Sequence, residues 1–160
     1  MSIFGNFSEE YTLIQKFFRV RDRTEFEVRS FYLNKGYSTQ FIDEIITDMK
    51  EKNLINDSKF LSNYIYSHQT LKRKSQKLVT LELEELGIDK TLLSNINWDK
   101  NVELENCKWW VIKKISSKNP DKKIVLNCMQ SLVSKGFDLE LIESNIKEFG
   151  IDIERIIENE

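Results

Sequence analysis

Three glycine-centred turns recur along this chain at intervals of about 50 residues, at Lys35-Gly36-Tyr37, Leu86-Gly87-Ile88 and Lys135-Gly136-Phe137. The first and third turns are followed by apolar residues in matching positions: Phe41, Ile42, Ile46 and Met49 after the first, Leu141, Ile142, Ile146 and Phe149 after the third. Such a period is typical of helical repeat proteins. Because one unit of this size cannot bury its own apolar face, neighbouring units must stack.

The first unit carries the clearest helix signals. The segment Thr24-Glu25-Phe26-Glu27 is a capping box, in which the threonine hydroxyl and the Glu27 carboxylate each bind a backbone N–H group of the other residue. Gly36 suits a left-handed helix C-terminus, and Ser38 suits the N-cap of the next helix. We therefore predict helices over residues 8–20, 24–35 and 38–53.

The rest of the chain is predicted to be helical as well. Helices are expected from residue 56 onward and over 75–86, 89–96, 101–117, 120–135, 138–149 and 151–158, with Pro120 at a first helical position. Residues 77–83 alternate partly, but their leucines and glutamates at helical offsets favour a helix. The predicted fold is all-α, with three tandem three-helix repeats in a curved, elongated array: residues 1–20 form a leading helix, followed by repeats at 21–56, 57–100 and 101–160.

Composition supports a folded, non-membrane protein without a metal centre. Apolar residues make up 40% of the chain and charged residues 31%, which suffices for a packed core. Cys107, Cys128 and His68 are too few for a structural zinc site, and we expect both cysteines to be reduced and buried. The N-terminus lacks the pattern of a signal peptide, and no apolar run could span a membrane. We expect a soluble cytoplasmic protein.

Charge is segregated along the chain although the net charge is only −2. Residues 58–81 contain no acidic side chain but carry Lys59, Lys72, Arg73, Lys74 and Lys77. A second basic cluster comprises Lys108, Lys113, Lys114, Lys118, Lys122 and Lys123, and residues 137–160 hold eight acids, the last of them Glu160. This pattern indicates an electrostatically steered partner, although solvated helix faces are the common alternative.

Two further groups of residues are candidates for binding. Arg19, Arg21, Arg23 and Arg29 flank the capping box and could bind carboxylates or phosphates, or pair with nearby acids of their own helix. Trp109 and Trp110 point about 100° apart on a helix, so one is expected in the core and the other partly exposed. An exposed tryptophan beside lysines could stack on a base, anchor a protein contact or simply pack.

Catalytic signals are poor. The chain has one histidine, no glycine-rich phosphate loop and no nucleophile elbow. We predict no enzyme activity and no cofactor.

Several of these residues also match a known family. The string Arg21-Asp22-Arg23-Thr24-Glu25-Phe26-Glu27-Val28-Arg29, closing on Leu33 and Gly36, resembles the opening motif of the RecX recombination regulators. The segment 54–60, followed by Tyr64 and Ser67, is similar to a second motif of that family, and Leu83, Leu86, Gly87 and Ile88 match the close of its second repeat. The resemblance covers residues 11–150. It departs from the family after Ser67, where relatives usually carry a Lys-Gly pair and this chain has no glycine.

The resemblance implies an all-helical, non-enzymatic regulator that acts in homologous recombination, DNA repair and the SOS response. RecX proteins bind the RecA filament on single-stranded DNA, lie in its groove, and inhibit ATP hydrolysis and strand exchange. Of the motif positions, Thr24 and Asp57 are explained as helix caps and Phe60 as core. The predicted contacts with RecA or DNA are Arg19, Arg21, Arg29, Lys72, Arg73, Lys74, Lys77, Lys113 and Lys114.

We expect a monomer with at most weak direct DNA contact. Two alternatives stay open at this point: a helical array that binds nucleic acid directly, and a protein–protein adaptor of the TPR or HEAT type.

Overall fold

A computed structural model of the chain describes residues 7–116 and 119–158. The described part is all-helical, as predicted, with ten α-helices: α1 (Ser8–Phe18), α2 (Glu25–Asn34), α3 (Thr39–Glu51), α4 (Asp57–Ile65), α5 (Gln76–Glu85), α6 (Lys90–Ser94), α7 (Lys100–Lys114), α8 (Lys122–Ser134), α9 (Leu139–Glu148) and α10 (Ile153–Glu158). Of the N-terminal segment that was considered for a signal peptide, residues 1–6 lie outside the described part. Lys118 and Glu160 lie outside it as well. None of the described helices is long and apolar enough to cross a membrane.

The local signals of the first unit are confirmed. The Thr24 capping box is complete, with both hydrogen bonds present. Gly36, Gly87 and Gly136 all have positive φ angles, of 86°, 75° and 88°. Ser38 accepts a hydrogen bond from the backbone N–H of Phe41 at the start of α3. The repeated glycine turns therefore end three helices in the same left-handed conformation.

One predicted helix start and one predicted helix cap were wrong. Pro120 does not occupy the first helical position of α8, because Asp121 is the N-cap and its side chain accepts from the Ile124 N–H. Asp57 does not cap its own helix. Asn56 fills that role by accepting from the Lys59 N–H, whereas the Asp57 carboxylate accepts the N–H of Glu25, the first residue of α2, over 2.9 Å.

The segment that departs from the family pattern has an unusual backbone. Helix α4 continues as a π-helix over Tyr66–Leu71. Arg73 then adopts a φ angle of 54°, in the left-handed region that favours glycine. The turn is thus made without glycine, with an arginine in the strained position.

The chain forms two compact units. The first comprises the residues up to Tyr64 together with Leu83–Asn95, and its core is built around Phe7, Ile14, Val28, Tyr32, Ile42, Ile45, Ile46, Met49 and Ile55. The second comprises Ile65–Glu82 and the residues from Ile96 onward, with a core of Cys107, Val111, Ile115, Val125, Cys128, Leu132, Phe137, Ile142, Ile146, Ile151 and Ile153. The middle repeat predicted at 57–100 contributes to both units.

The same backbone contact occurs once within each unit. In the first unit, the buried Thr24 hydroxyl donates to the carbonyl of Leu86 over 2.6 Å. In the second, the buried Ser75 hydroxyl donates to the carbonyl of Lys135 over 2.7 Å. Both carbonyls immediately precede a glycine turn. A helix N-cap therefore also satisfies a carbonyl at the C-terminus of another helix, where intrahelical partners are lacking.

Candidate functional site

The predicted arginine contacts of the first repeat are engaged in ion pairs within the first unit. Arg21 forms a bidentate pair with Glu27, with N–O distances of 2.9 and 2.6 Å, and its guanidinium lies 5.9 Å from the Phe60 ring centroid. The hydrogen bond to Glu27 raises the pKa of Arg21. Burial alone would raise the pKa of Glu27, but hydrogen bonds from Arg21 and the Thr24 backbone lower it below its usual range.

Arg29 is similarly occupied. It binds Glu25 over 2.9 Å and Asp43 over 2.5 Å, and Lys50 also pairs with Glu25. Arg19, at the end of α1, is exposed, and its side chain makes no hydrogen bond or ion pair with the described residues. Of the three predicted arginine contacts in the first unit, only Arg19 therefore presents a charge that the described residues do not already pair.

The basic segment from Lys72 to Lys77 divides into paired and unpaired cations. Lys74 forms a salt bridge with Glu82, and Lys72 lies 3.1 Å from the His68 ring nitrogen Nε2. Arg73 and Lys77 form no salt bridge with any described carboxylate, and neither does Lys72. The unpaired charges are the ones able to attract a partner.

The second unit brings Arg73 together with the tryptophan pair of α7. The Trp109 and Trp110 rings meet edge to face, with centroids 4.8 Å apart. The Arg73 guanidinium lies 5.2 Å from the Trp109 centroid, and the Trp110 indole N–H donates to the Arg73 carbonyl over 2.9 Å. Trp110 packs against the core, whereas Trp109 keeps 36% of its surface exposed. Trp110 is the core-facing ring, as one of the two was expected to be, but it is partly rather than fully buried.

Two lysines complete this arrangement. The Lys113 ammonium lies 4.7 Å from the Trp109 centroid and 5.2 Å from that of Trp110, and the Lys135 ammonium lies 4.3 Å from that of Trp110. We call this set the basic–aromatic cluster; its members are Arg73, Trp109, Trp110, Lys113 and Lys135. Its three cations form no salt bridge with the described carboxylates. It thus offers both aromatic surface and unneutralised positive charge.

Sequence reasoning missed Lys135 as a member of the cluster. The residue stands alone in sequence, next to the third glycine turn, with no other basic residue adjacent. The fold places it here because the Ser75 hydroxyl binds its carbonyl, which holds the turn beside the segment that contains Arg73. No local signal could have indicated this proximity.

Other residues of the second basic cluster have separate roles. Lys108 pairs with Glu148 over 3.4 Å, and Lys122 donates to the carbonyl of Ile157 over 3.0 Å. Lys114 is half-buried, and its charge lowers the pKa of Cys128, against the larger effect of burial, which raises it. The structure therefore brings Lys113 into the basic–aromatic cluster and leaves Lys114 on the core side of α7.

The described residues show neither a candidate metal centre nor an exposed thiol. They contain no group of three or more His, Cys, Asp or Glu residues that could hold a metal ion. Cys107 and Cys128 are free and buried, and burial raises the pKa of the Cys107 thiol to about 12. A thiol with such a pKa is protonated at neutral pH and is a poor nucleophile.

Comparison with known proteins finds relatives of this chain. No protein-family model matches the sequence. The chain is 27% identical over 159 residues to regulatory protein RecX of Streptococcus mutans, covering 98% of this chain and 61% of the relative. It is 30% identical over 142 residues to RecX of Oceanobacillus iheyensis, covering 86% of this chain and 52% of the relative. The chain thus spans between half and two thirds of the length of these curated relatives.

Two crystal structures share the architecture. RecX from Lactobacillus salivarius superposes with a TM-score of 0.76 at 23% identity, covering 92% of this chain and 99% of that one. A second structure, of a regulatory protein RecX, gives a TM-score of 0.73 at 17% identity, covering 88% and 72%. The fold is thus that of a helical-repeat protein whose relatives are named as regulators. The chain belongs to the RecX family.

Proposed function

We propose that this protein regulates the RecA recombinase by binding to its filament on single-stranded DNA, where it lowers ATP hydrolysis and strand exchange. Family membership supports this reading, and so does the naming of the relatives as regulatory proteins. The observation that carries it is the unpaired charge of the basic–aromatic cluster. A RecA–DNA filament presents acidic protein loops and phosphates, and uncompensated cations are attracted to both.

The proposed mechanism is binding without chemistry. Cations of the second unit would contact phosphates or acidic loops, and a helical array that bridges neighbouring RecA subunits would resist the conformational cycle that accompanies ATP turnover. We place this activity in the cytoplasm, where RecA filaments form. Arg19 remains a proposed contact, as do Lys72, Lys77 and Lys113.

Arg21 and Arg29 remain proposed contacts of a different kind. Each guanidinium already binds a carboxylate of its own unit. A partner could use only the nitrogen atoms left over, or would have to compete with Glu27 or Glu25. We therefore expect these arginines to contribute less to partner affinity than the unpaired cations of the second unit.

The proposal is tested by adding the protein to RecA filaments on single-stranded DNA. We expect the protein to sediment with the filament at stoichiometric amounts and to slow ATP hydrolysis. A variant in which Lys113 and Lys135 are both replaced by Gln should bind less tightly. Replacing Lys108, which already pairs with Glu148, by Gln is the control for loss of a cation outside the cluster. Absence of both co-sedimentation and inhibition at stoichiometric protein would contradict the proposal.

Direct binding of bare nucleic acid is the second candidate. The partly exposed Trp109, with a cation on each of two elements nearby, favours it over a generic protein adaptor. The two functions differ in a simple measurement. Affinity for bare DNA that equals the affinity for the filament, and that falls steeply with salt, would favour direct binding as the main activity.

A further inference from the structure

Arg73 occupies a backbone conformation that its side chain disfavours. Its φ angle of 54° lies in the left-handed region, where a residue with a Cβ atom is strained. The conformation places the guanidinium 5.2 Å from the Trp109 ring and the carbonyl within 2.9 Å of the Trp110 indole nitrogen. Strained non-glycine residues are concentrated at functional sites, where their side chain is needed.

Trp109 is held in place from several sides. Its ring contacts Trp110 edge to face, and Arg73 and Lys113 lie near it from two different elements. The neighbouring Trp110 is anchored by a hydrogen bond and by the core. If Trp109 served only to pack against its neighbours, no cation would be needed beside its ring. An indole that is fixed and partly exposed among unpaired cations is the arrangement by which proteins bind single-stranded nucleic acids.

We propose that Trp109 is a stacking platform for one unpaired base of single-stranded DNA, and that Arg73, Lys113 and Lys135 bind the phosphates on either side of that base. The assignment of the strand to DNA rests on the proposed function. The platform itself rests on the geometry of the cluster. Its residues are the ones through which this chain would contact the DNA strand in the filament.

The geometry favours a nucleic acid over an acidic peptide. An acidic peptide would draw the cations away from the Trp109 ring, over which Arg73 and Lys113 now lie, and would supply nothing to contact the indole in their place. A single strand supplies both partners, because its phosphates match the cations and its bases present flat π-faces. Arginine can also lie flat on a base, so Arg73 can contribute to either contact. In a duplex the base faces are stacked on each other and cannot reach Trp109, which predicts a preference for single strands.

The test separates stacking from charge. Fluorescence anisotropy at low salt would compare oligothymidylate with an abasic strand of the same length, which keeps the phosphates and lacks the bases. We expect the protein to bind oligothymidylate more tightly. Trp109→Ala should weaken oligothymidylate binding by about 5- to 100-fold and leave binding of the abasic strand unchanged, since one base–aromatic stack accounts for a difference of this size.

Ile112→Ala is the matched control, because Ile112 is also an exposed apolar residue of α7 and lies outside the cluster. It should leave both affinities unchanged, and circular dichroism should show that both variants keep their helices. Trp109→Phe should retain part of the preference for bases.

Two outcomes would overturn the platform. The first is an equal loss of affinity for both strands in Trp109→Ala, and the second is a dependence on Trp109 for binding poly-glutamate but not for binding DNA. Tighter binding of oligouridylate than of oligothymidylate would overturn the assignment of the strand to DNA, since uracil can stack as well. None of these measurements contains RecA. If the wild-type protein fails to inhibit the RecA ATPase while Trp109→Ala loses base preference, the proposed function fails and the platform stands.

Discussion

The Ser75 hydroxyl donates a hydrogen bond to the backbone carbonyl of Lys135 over 2.7 Å, and the same hydroxyl accepts from the N–H of Leu78. Ser75 is thus the N-cap of α5 and at the same time binds the last residue before the third glycine turn. Thr24 makes the equivalent pair of contacts in the first unit. One small hydroxyl side chain therefore joins a helix start to a turn of the next repeat, and the contact in the second unit positions Lys135 in the basic–aromatic cluster.

Replacement of Ser75 should destabilise the protein more than loss of an ordinary cap. Ser75→Ala removes a cap, which costs about 1 kcal/mol, and also leaves a part-buried carbonyl without its donor, which costs up to about 1–3 kcal/mol more. Ser38→Ala is the control, since Ser38 is an exposed cap. Urea unfolding of both variants measures the difference. Equal losses would show that the contact with Lys135 contributes nothing.

Gly136 should tolerate alanine far less well than Gly36. Both have left-handed φ angles, so alanine costs about 1–2 kcal/mol at either site. A Cβ at Gly136 would lie 2.6 Å from the Ser75 hydroxyl oxygen, whereas nothing lies within 4 Å of a Cβ at Gly36. We expect Gly136→Ala to lose a further 1–3 kcal/mol or so of unfolding free energy, because Ser75 must move off its partners. Equal thermal unfolding midpoints for the two variants would contradict this packing.

Glu103 should make the stability of the protein depend on pH in a defined direction. Its carboxylate accepts the N–H of Gln76 over 2.9 Å, and burial, together with the charge of Asp138, raises its pKa. The folded state therefore holds the proton more tightly than the unfolded state does. The stabilisation that comes from this tighter binding of the proton is fully present below the ordinary carboxyl pKa. It is lost as pH rises through the raised pKa of the folded state.

Glu103→Gln keeps an acceptor for the Gln76 N–H and removes the charge. We expect this variant to exceed the wild type in unfolding free energy at pH 7 and to lose that advantage as pH falls toward 4. Urea unfolding at a series of pH values measures this difference. A constant difference between the two proteins over that range would contradict the raised pKa.

Arg73→Gly should separate stability from binding. Glycine relieves the left-handed strain of about 1 kcal/mol and increases the entropy of the unfolded chain by a similar amount, so the unfolding free energy should change little. Loss of one phosphate contact should reduce the slope of log affinity for single-stranded DNA against log salt by about 0.7. Lys123→Ala serves as the control for loss of one exposed charge outside the cluster. An unchanged salt slope in Arg73→Gly would remove Arg73 from the proposed site.

The features that sequence reasoning predicted are those set by neighbouring residues. The Thr24 capping box, the glycine turn at Gly36 and the division of roles between Trp109 and Trp110 each depend on residues a few positions apart. The helical repeat was predictable because its apolar period is a property of the chain itself. The family followed from motif order.

Long-range contacts were beyond that reasoning. The position of Lys135 beside Trp110 depends on the contact between Ser75 and a turn 60 residues away. Arg73 takes the left-handed position two residues after the end of a π-helix, and no pattern in the sequence signals either feature. The cap at Asp57 was misassigned for the same reason, since the carboxylate binds the start of a different helix. Each of these contacts is decided by packing rather than by propensity.

The central claim is tested most directly by the rate of ATP hydrolysis by RecA on single-stranded DNA, measured as the protein is added. We predict that the wild-type protein lowers the rate at amounts stoichiometric with RecA, that Lys113→Gln combined with Lys135→Gln requires more protein for the same inhibition, and that Lys108→Gln behaves as the wild type. An ATPase rate that stays unchanged at stoichiometric and higher amounts of the folded wild-type protein would contradict the account.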